Sequence, residues 1–248
     1  MRDLGKLKEA RLYLRRAIEL KQDYAIAHAN LASILIDSER ENEALDCYLK
    51  AIQLNNKRPN IYPIITHFLR ETDPSKLNQS KLKKVLSLLL EQNNIAHKDL
   101  SRPFRYLYTN ILLNKLKGFE TKLFKKELFK LFISDTILTN ALKKITLRDY
   151  RLEKILSNVR KKICLQIAET TDPINDIELQ FIITLAEQCF LNEFVYSITA
   201  EEKINIDDII NKCINGKINE ENIAILSCYY PLYKLLDKIP SLKSFNSS

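Results

Sequence analysis

The sequence predicts an all-α chain: a short array of helical hairpins, an α-solenoid, followed by an irregular helical domain. Three observations carry this. Glycine and proline number 3 and 7 in 248 residues, about 4% where an average globular chain carries roughly 12%, and strands need such residues at each reversal. Apolar residues recur at i, i+3 and i+4 along most of the chain rather than at alternate positions. Polar capping residues and a late glycine mark where several helices begin and end. At this length the chain can bury a core of its own in one or two domains.

The front of the chain is periodic. From Ala25 it reads AIAHANLASILIDSERENEALDCYLKAIQLNN, with apolar or small residues at Ala27, Leu31 and Leu35 and then at Ala44, Tyr48, Ala51 and Leu54. Two helices are expected, broken near Ser38 to Arg40. Ala44 and Ala51 let the pair approach closely, while Leu31, Leu35 and Tyr48 fill the space between them. Shifted back by 34 positions, Gly5, Ala10, Ala17, Ile18 and Leu20 stand where Glu39, Ala44, Ala51, Ile52 and Leu54 stand later.

In Leu31, Ala32, Leu35, Ala44, Tyr48 and Ala51 this stretch resembles the tetratricopeptide repeat. It departs from the family pattern in three places: His28 replaces the usual tryptophan, Glu39 the turn glycine and Asn56 the terminating proline. In that register residues 1–56 hold one partial and one complete repeat, Met1 falls at position 11, and most of a first helix is missing. About three repeats make a stable stack, so this one is expected to lean on the later helices or on repeats outside the chain. The resemblance implies a concave groove lined by the first helix of each repeat, here by Ile26, Ala29, Asn30, Ser33, Ile36 and Asp37. Asn30 falls where related arrays offer an asparagine to the backbone of an extended peptide, with a solvated or locally capping asparagine as the plainer alternative.

Arg58 to Pro63 holds two prolines and reads as a break, so residues 57–75 form a linker or degenerate repeat and 76–248 a helical domain. Asp73-Pro74 places an acceptor before a proline at a helix start. Leu82, Val85, Leu88 and Leu89 form a packed stripe ending at Asn93 and Asn94. Helices are expected over Arg105 to Leu116 and Thr121 to Ile133, the second with its phenylalanines inward and its lysines outward. A further stripe runs through Leu152, Ile155, Leu156, Val159 and Ile163, opposed by Arg151, Lys154, Arg160 and Lys161. Asp176 to about Tyr196 is apolar nearly all round, with Leu179, Ile182, Leu185, Ala186, Cys189, Phe190 and Phe194 at helical spacing, and should be central. Within it Gln188 and Asn192 share a face, and if buried they must be hydrogen-bonded, as ties to a neighbouring turn or as partner contacts. Thr199 to Glu202 is a capping box opening a helix to Ile214, stopped at Gly216. Asn219 caps another that leads towards Pro231, and the polar tail SLKSFNSS should fray.

Two stretches carry a second resemblance. NNIAHKDLSRPFRYLY (Asn93 to Tyr108) and LAEQCFLNEFVYSITAEE (Leu185 to Glu202) are similar to the helical segment that joins tetratricopeptide repeats to an S-adenosylmethionine-dependent methyltransferase domain in marine bacterial proteins. The similarity spans residues 76–236 loosely and Gln188 to Glu202 tightly. It implies a methyltransferase domain as partner or as a further C-terminal part, whose glycine-rich cofactor loop has no counterpart here.

Chemistry by other routes is thinly provided for. Gly5, Gly118 and Gly216 lie far apart, whereas a P-loop, a dinucleotide-binding turn and a nucleophile elbow each need several glycines within a few positions. The five cysteines form no C-x-x-C pair, and His28, His67 and His97 have no partner at ligand spacing, so no metal and no cofactor is expected and the thiols read as core residues in a reducing compartment. The start is charged throughout, and the longest apolar stretches, such as Val85 to Leu90, are too short for a membrane span, which points to a cytoplasmic protein. The net charge of +8 is uneven, about +13 over residues 61–162 and about −7 from 163 onward. Phe104, Tyr106, Tyr108, Phe119 and Phe124 among the lysines of the middle segment admit a nucleic-acid reading, but at helical spacing such aromatics face a core.

The functional expectation is a non-catalytic scaffold that grips a protein or peptide segment in the repeat groove. The enzyme alternative is the substrate-recruiting front of a methyltransferase, or less so of a glycosyltransferase. Nucleic-acid binding is the weakest of the three.

Overall fold

A computed structural model of the chain describes residues 4–54, 61–116, 132, 134–169 and 174–245. Among them the regular structure is helical throughout. The chain divides into two compact units, residues 1–107 and 108–248. The helix expected over Thr121 to Ile133 lies, but for Phe132, outside the described residues.

The first unit opens with α1 (Leu4–Leu20), α2 (Ala25–Ile36) and α3 (Glu41–Leu54). Here α2 packs against both α1 and α3. Ala32, Ala44, Leu45 and Ala51 are fully buried, and Tyr48 is 1% exposed. The small residues bring the two backbones close and Tyr48 fills the remaining space, its ring 5.2 Å from that of Phe68. The expected break falls at residues 37–40. There the amide of Arg40 donates to the carbonyl of Leu35 (3.0 Å) and that of Glu39 to Ile36 (3.0 Å). This double closure needs a left-handed residue, and Glu39 supplies it at φ 56°.

Beyond residue 60 the unit continues with α4 (Tyr62–Glu71), which has Pro63 in its first turn, and α5 (Gln79–Leu90). Asp73 does cap a turn, accepting from the Ser75 amide, but only a 3-10 turn at Pro74–Lys76. The helix proper starts after Asn78, whose side chain accepts from the Lys81 amide. Polar ties hold the start of α3 on α5 and the turn before it. Asn42 donates to the Lys76 carbonyl (2.8 Å) and accepts from the Asn78 amide (2.7 Å). Lys81 pairs with Asp46 at 2.6 Å. A second 3-10 turn, His97–Leu100, packs on α4 and leads into α6 (Ser101–Leu116), which starts four residues before the expected Arg105. The division between units falls inside α6.

In the second unit α7 (Thr136–Lys144) begins at Asp135, which accepts from two amides of its first turn and from the Tyr108 hydroxyl. Then come α8 (Tyr150–Glu169), α9 (Asp176–Leu191), α10 (Ala200–Ile214), α11 (Glu220–Leu226), α12 (Leu232–Lys238) and α13 (Leu242–Phe245). As expected, α9 is central, touching α7, α8 and α11.

It ends earlier than the sequence suggested, at Leu191 rather than near Tyr196. Glu193 and Phe194, at φ 54° and 58°, turn the chain through a left-handed double step. The predicted boxes and caps are present: Thr199 with Glu202, Asn219 on Asn222, and the stop at Gly216, whose φ is 88°. Asn175 and Glu178 add a box that sequence reading missed. The helix capped by Asn219 closes at Leu226, short of Pro231. In the tail Leu242 is buried, so its first residues are anchored rather than frayed.

Candidate functional site

The residues proposed from the repeat pattern all lie on α2 or directly after it. At about 100° per residue, Ile26, Asn30, Ser33 and Asp37 fall on one narrow stripe. All four are exposed, Ile26 at 36%. Ala29 and Ile36 sit about 60–80° round the helix from that stripe. Ala29 is 3% exposed and Ile36 half-buried, so Ala29 belongs to the packed wall and cannot offer its methyl to a bound chain. The buried residues Ala27, Leu31, Ala32 and Leu35 occupy the opposite side of the helix, and Ala25, His28 and Ile34 are half-buried. The fully exposed surface of α2 is a narrow strip.

Its polar groups are held in different ways. The Ser33 hydroxyl donates back to the Ala29 carbonyl (3.3 Å) and lies 3.4 Å from the Tyr48 hydroxyl. Burial pushes the Tyr48 phenol up, with Ser33 opposing, so Tyr48 stays a neutral hydroxyl beneath the stripe. His28, in the tryptophan position, lies off the stripe and half-buried, with Nε2 3.2 Å from the Gln22 carbonyl. That contact closes the turn between α1 and α2. The Cys47 thiol, half-buried one residue before Tyr48, is pushed up to about 11 by burial and by Asp46 and Glu43, which makes it a poor nucleophile at neutral pH.

The second polar constellation is buried. Arg160 on α8 is 1% exposed and Glu202 on α10 2%. An Arg160 Nη donates to Glu202 Oε1 (3.1 Å) and to the Ser197 carbonyl (2.7 Å), and the Tyr229 hydroxyl donates to the same carboxylate oxygen (2.9 Å). The other oxygen, Oε2, accepts from the Thr199 amide at 2.8 Å. The Tyr229 ring lies 4.3 Å below the guanidinium. With its amide nitrogen facing α7, Gln188 donates to the carbonyls of Leu142 (2.8 Å) and Ile145 (3.0 Å), and its oxygen accepts from Asn192, which also donates to the Tyr196 hydroxyl at 2.7 Å. Gln188 and Asn192 therefore tie the end of α9 to the end of α7, the structural alternative raised by their spacing. Arg160, read from sequence as part of a solvated face, is instead the centre of this joint.

Of the aromatics in the basic middle segment, Phe104 and Tyr108 are 0% and 1% exposed and so cannot stack on bases, while Tyr106 is 37% exposed. Phe119 and Phe124 lie outside the described residues. Among the described residues no group of three His, Cys, Asp or Glu side chains is placed to hold a metal ion, and no helix is long and apolar enough to cross a membrane.

No curated protein and no solved structure matches the chain. The family model of the tetratricopeptide repeat matches residues 2–24 and 25–58, the stretch that includes α1–α3 and carries the stripe.

Proposed function

We propose that the chain is a non-catalytic scaffold whose residues 1–56 dock a peptide or protein segment along α2. Tetratricopeptide repeats serve protein interaction in general, and the observation that carries the reading here is the stripe. Ile26, Asn30, Ser33 and Asp37 are exposed on a helix whose opposite side is packed. Asn30 would donate to and accept from a peptide backbone, and Ile26, with the exposed edge of Ile36, would meet an apolar side chain.

A role as the recruiting front of a methyltransferase rests on the similarity over Gln188 to Glu202. Within that stretch Gln188, Asn192, Tyr196, Ser197, Thr199 and Glu202 build the buried joint of the second unit, which gives those residues a role in the fold. The nucleic-acid reading loses Phe104 and Tyr108 to the core.

The test is selection of binding peptides from a random display library on the intact protein, followed by titration of the selected peptides against variants. Asn30→Ala and Ile26→Asp should each weaken binding about tenfold, the loss of one or two hydrogen bonds or of one apolar contact, with unchanged circular dichroism. Selected peptides that bind both variants as tightly as the parent would remove the stripe from the function.

A further inference from the structure

The second unit has an open groove of about 770 Å³ between α9 and the stretch from α11 to the start of α12, lined by Leu179, Ile183, Phe190, Phe194, Ile223 and Leu232 among others. Phe190, at helical spacing on a helix expected to be central, is 65% exposed. The α9 residues of the floor, Leu179, Ile183 and Phe190, recur at i, i+4 and i+11. They form a straight apolar track of about 16 Å at 1.5 Å per residue, three helical turns long.

Phe194 closes one end, edge-on to Phe190 with ring centroids 6.3 Å apart. It is carried there by two successive non-glycine residues in the left-handed region, a strained arrangement of the kind that persists where a side chain has to be aimed.

Two of the lining side chains stay largely open: Leu232 is 48% exposed and Phe190 65%, apolar surface that a protein segment would cover more fully than a small apolar ligand. The walls also carry charge. Lys143 of α7 and Glu187 of α9 both line the groove and pair at 3.5 Å, which leaves the walls a balance of one carboxylate, that of Glu220 at the first turn of α11. Glu187 and Glu220 belong to a C-terminal third in which acidic residues outnumber basic ones by about two to one. A track of this length with a net acidic wall fits one chemistry: large apolar side chains at i, i+3 or i+4 and i+7, flanked by lysine or arginine.

We propose that this groove is a docking surface, separate from the repeat stripe, whose occupant is a cationic amphipathic helix of a partner protein.

The probe is a fluorescein-labelled, end-capped leucine–lysine peptide of about four helical turns, with a leucine–glutamate peptide of the same pattern as its counterpart. The intact protein should bind the lysine peptide saturably and the glutamate peptide at least tenfold more weakly. Phe190→Asp, at an exposed position where folding does not depend on the ring, should weaken lysine-peptide binding at least tenfold even though it makes the surface more acidic. Plain electrostatic adsorption would instead rise.

Asn30→Ala, which tests the repeat stripe, should leave this binding unchanged, so failure of one reading is distinguishable from failure of the other. Equal affinity for the two peptides, or for parent and Phe190→Asp, would overturn the proposal. So would sedimentation showing that a second copy of the chain fills the groove, or a long-chain fatty acid binding there while the peptide does not.

Discussion

Glu39 and Gly216 occupy the same position in two copies of one motif. Each comes after a helix, each has positive φ, and at each a 6→1 bond closes the turn: Arg40 to Leu35 in the first, Lys217 to Lys212 in the second. Glycine meets no steric cost there, whereas a residue with a Cβ gives up about 1 kcal/mol or more. A Cβ added at Gly216 would meet nothing within 4 Å, so backbone strain is the whole of the difference. The two positions should therefore respond in opposite directions. Glu39→Gly should raise the stability of its unit by about 1 kcal/mol, and Gly216→Ala should lower that of its own by about the same. Urea titrations of the two variants check this, and a Glu39→Gly protein no more stable than its parent would contradict the strain. The Gly216 stop was legible directly, since glycine after an amphipathic run announces itself. Glu39 could be located only through the 34-residue frame that aligns it with Gly5.

Among the elements, helix ends were legible wherever a short polar side chain stands at a fixed offset, as at Thr199 and Glu202 or at Asn219. That chemistry is local and the sequence contains all of it. Arg160 was not legible, because its environment comes from Ser197, Glu202 and Tyr229, which are distant in sequence and converge only when α8, α10 and the end of α11 meet. The end of α9 escaped for a related reason: a helix apolar all round has no polar face to say which side is buried, so Phe190 and Phe194 read as core. The same feature hid the groove. The repeat stripe was half legible, since a 3.6-residue period fixes which residues share a face, while the burial of Ala29 depends on what the helix packs against. In the buried joint, Arg160→Met should cost about 3–5 kcal/mol, because it leaves the Glu202 carboxylate without its cation in a dry interior. Adding Glu202→Leu to Arg160→Met should recover part of that loss, since the orphaned charge then goes too. Denaturant unfolding of the single and double variants measures it; a double variant as unstable as the sum of the singles would mean the two side chains do not act as a pair.

At the scale of the whole molecule, the titratable groups built into the interior shift mostly one way. Burial pushes the Cys47 and Cys164 thiols up to about 11 and raises the phenols of Tyr48, Tyr108, Tyr196 and Tyr229. Asp135, which accepts from the Tyr108 hydroxyl, adds to its shift. Cys228, fully enclosed, moves up as well, while its neighbour Cys189 moves down beside it and Arg160. For an acid whose folded value lies above its unfolded one, the folded chain holds more protons between the two values, and stability falls as pH rises through that window. The thiols open the window at about 9, the ordinary value of their unfolded state, and the phenols deepen it from about 10. Stability against urea should therefore decline steeply from pH 9 to 11. Ultraviolet titration at about 295 nm should show the buried phenols ionising together with loss of helix rather than before it. Stability that holds level to pH 11, or phenols that titrate near 10 with the helices intact, would mean that these side chains meet water far more freely than their packing implies.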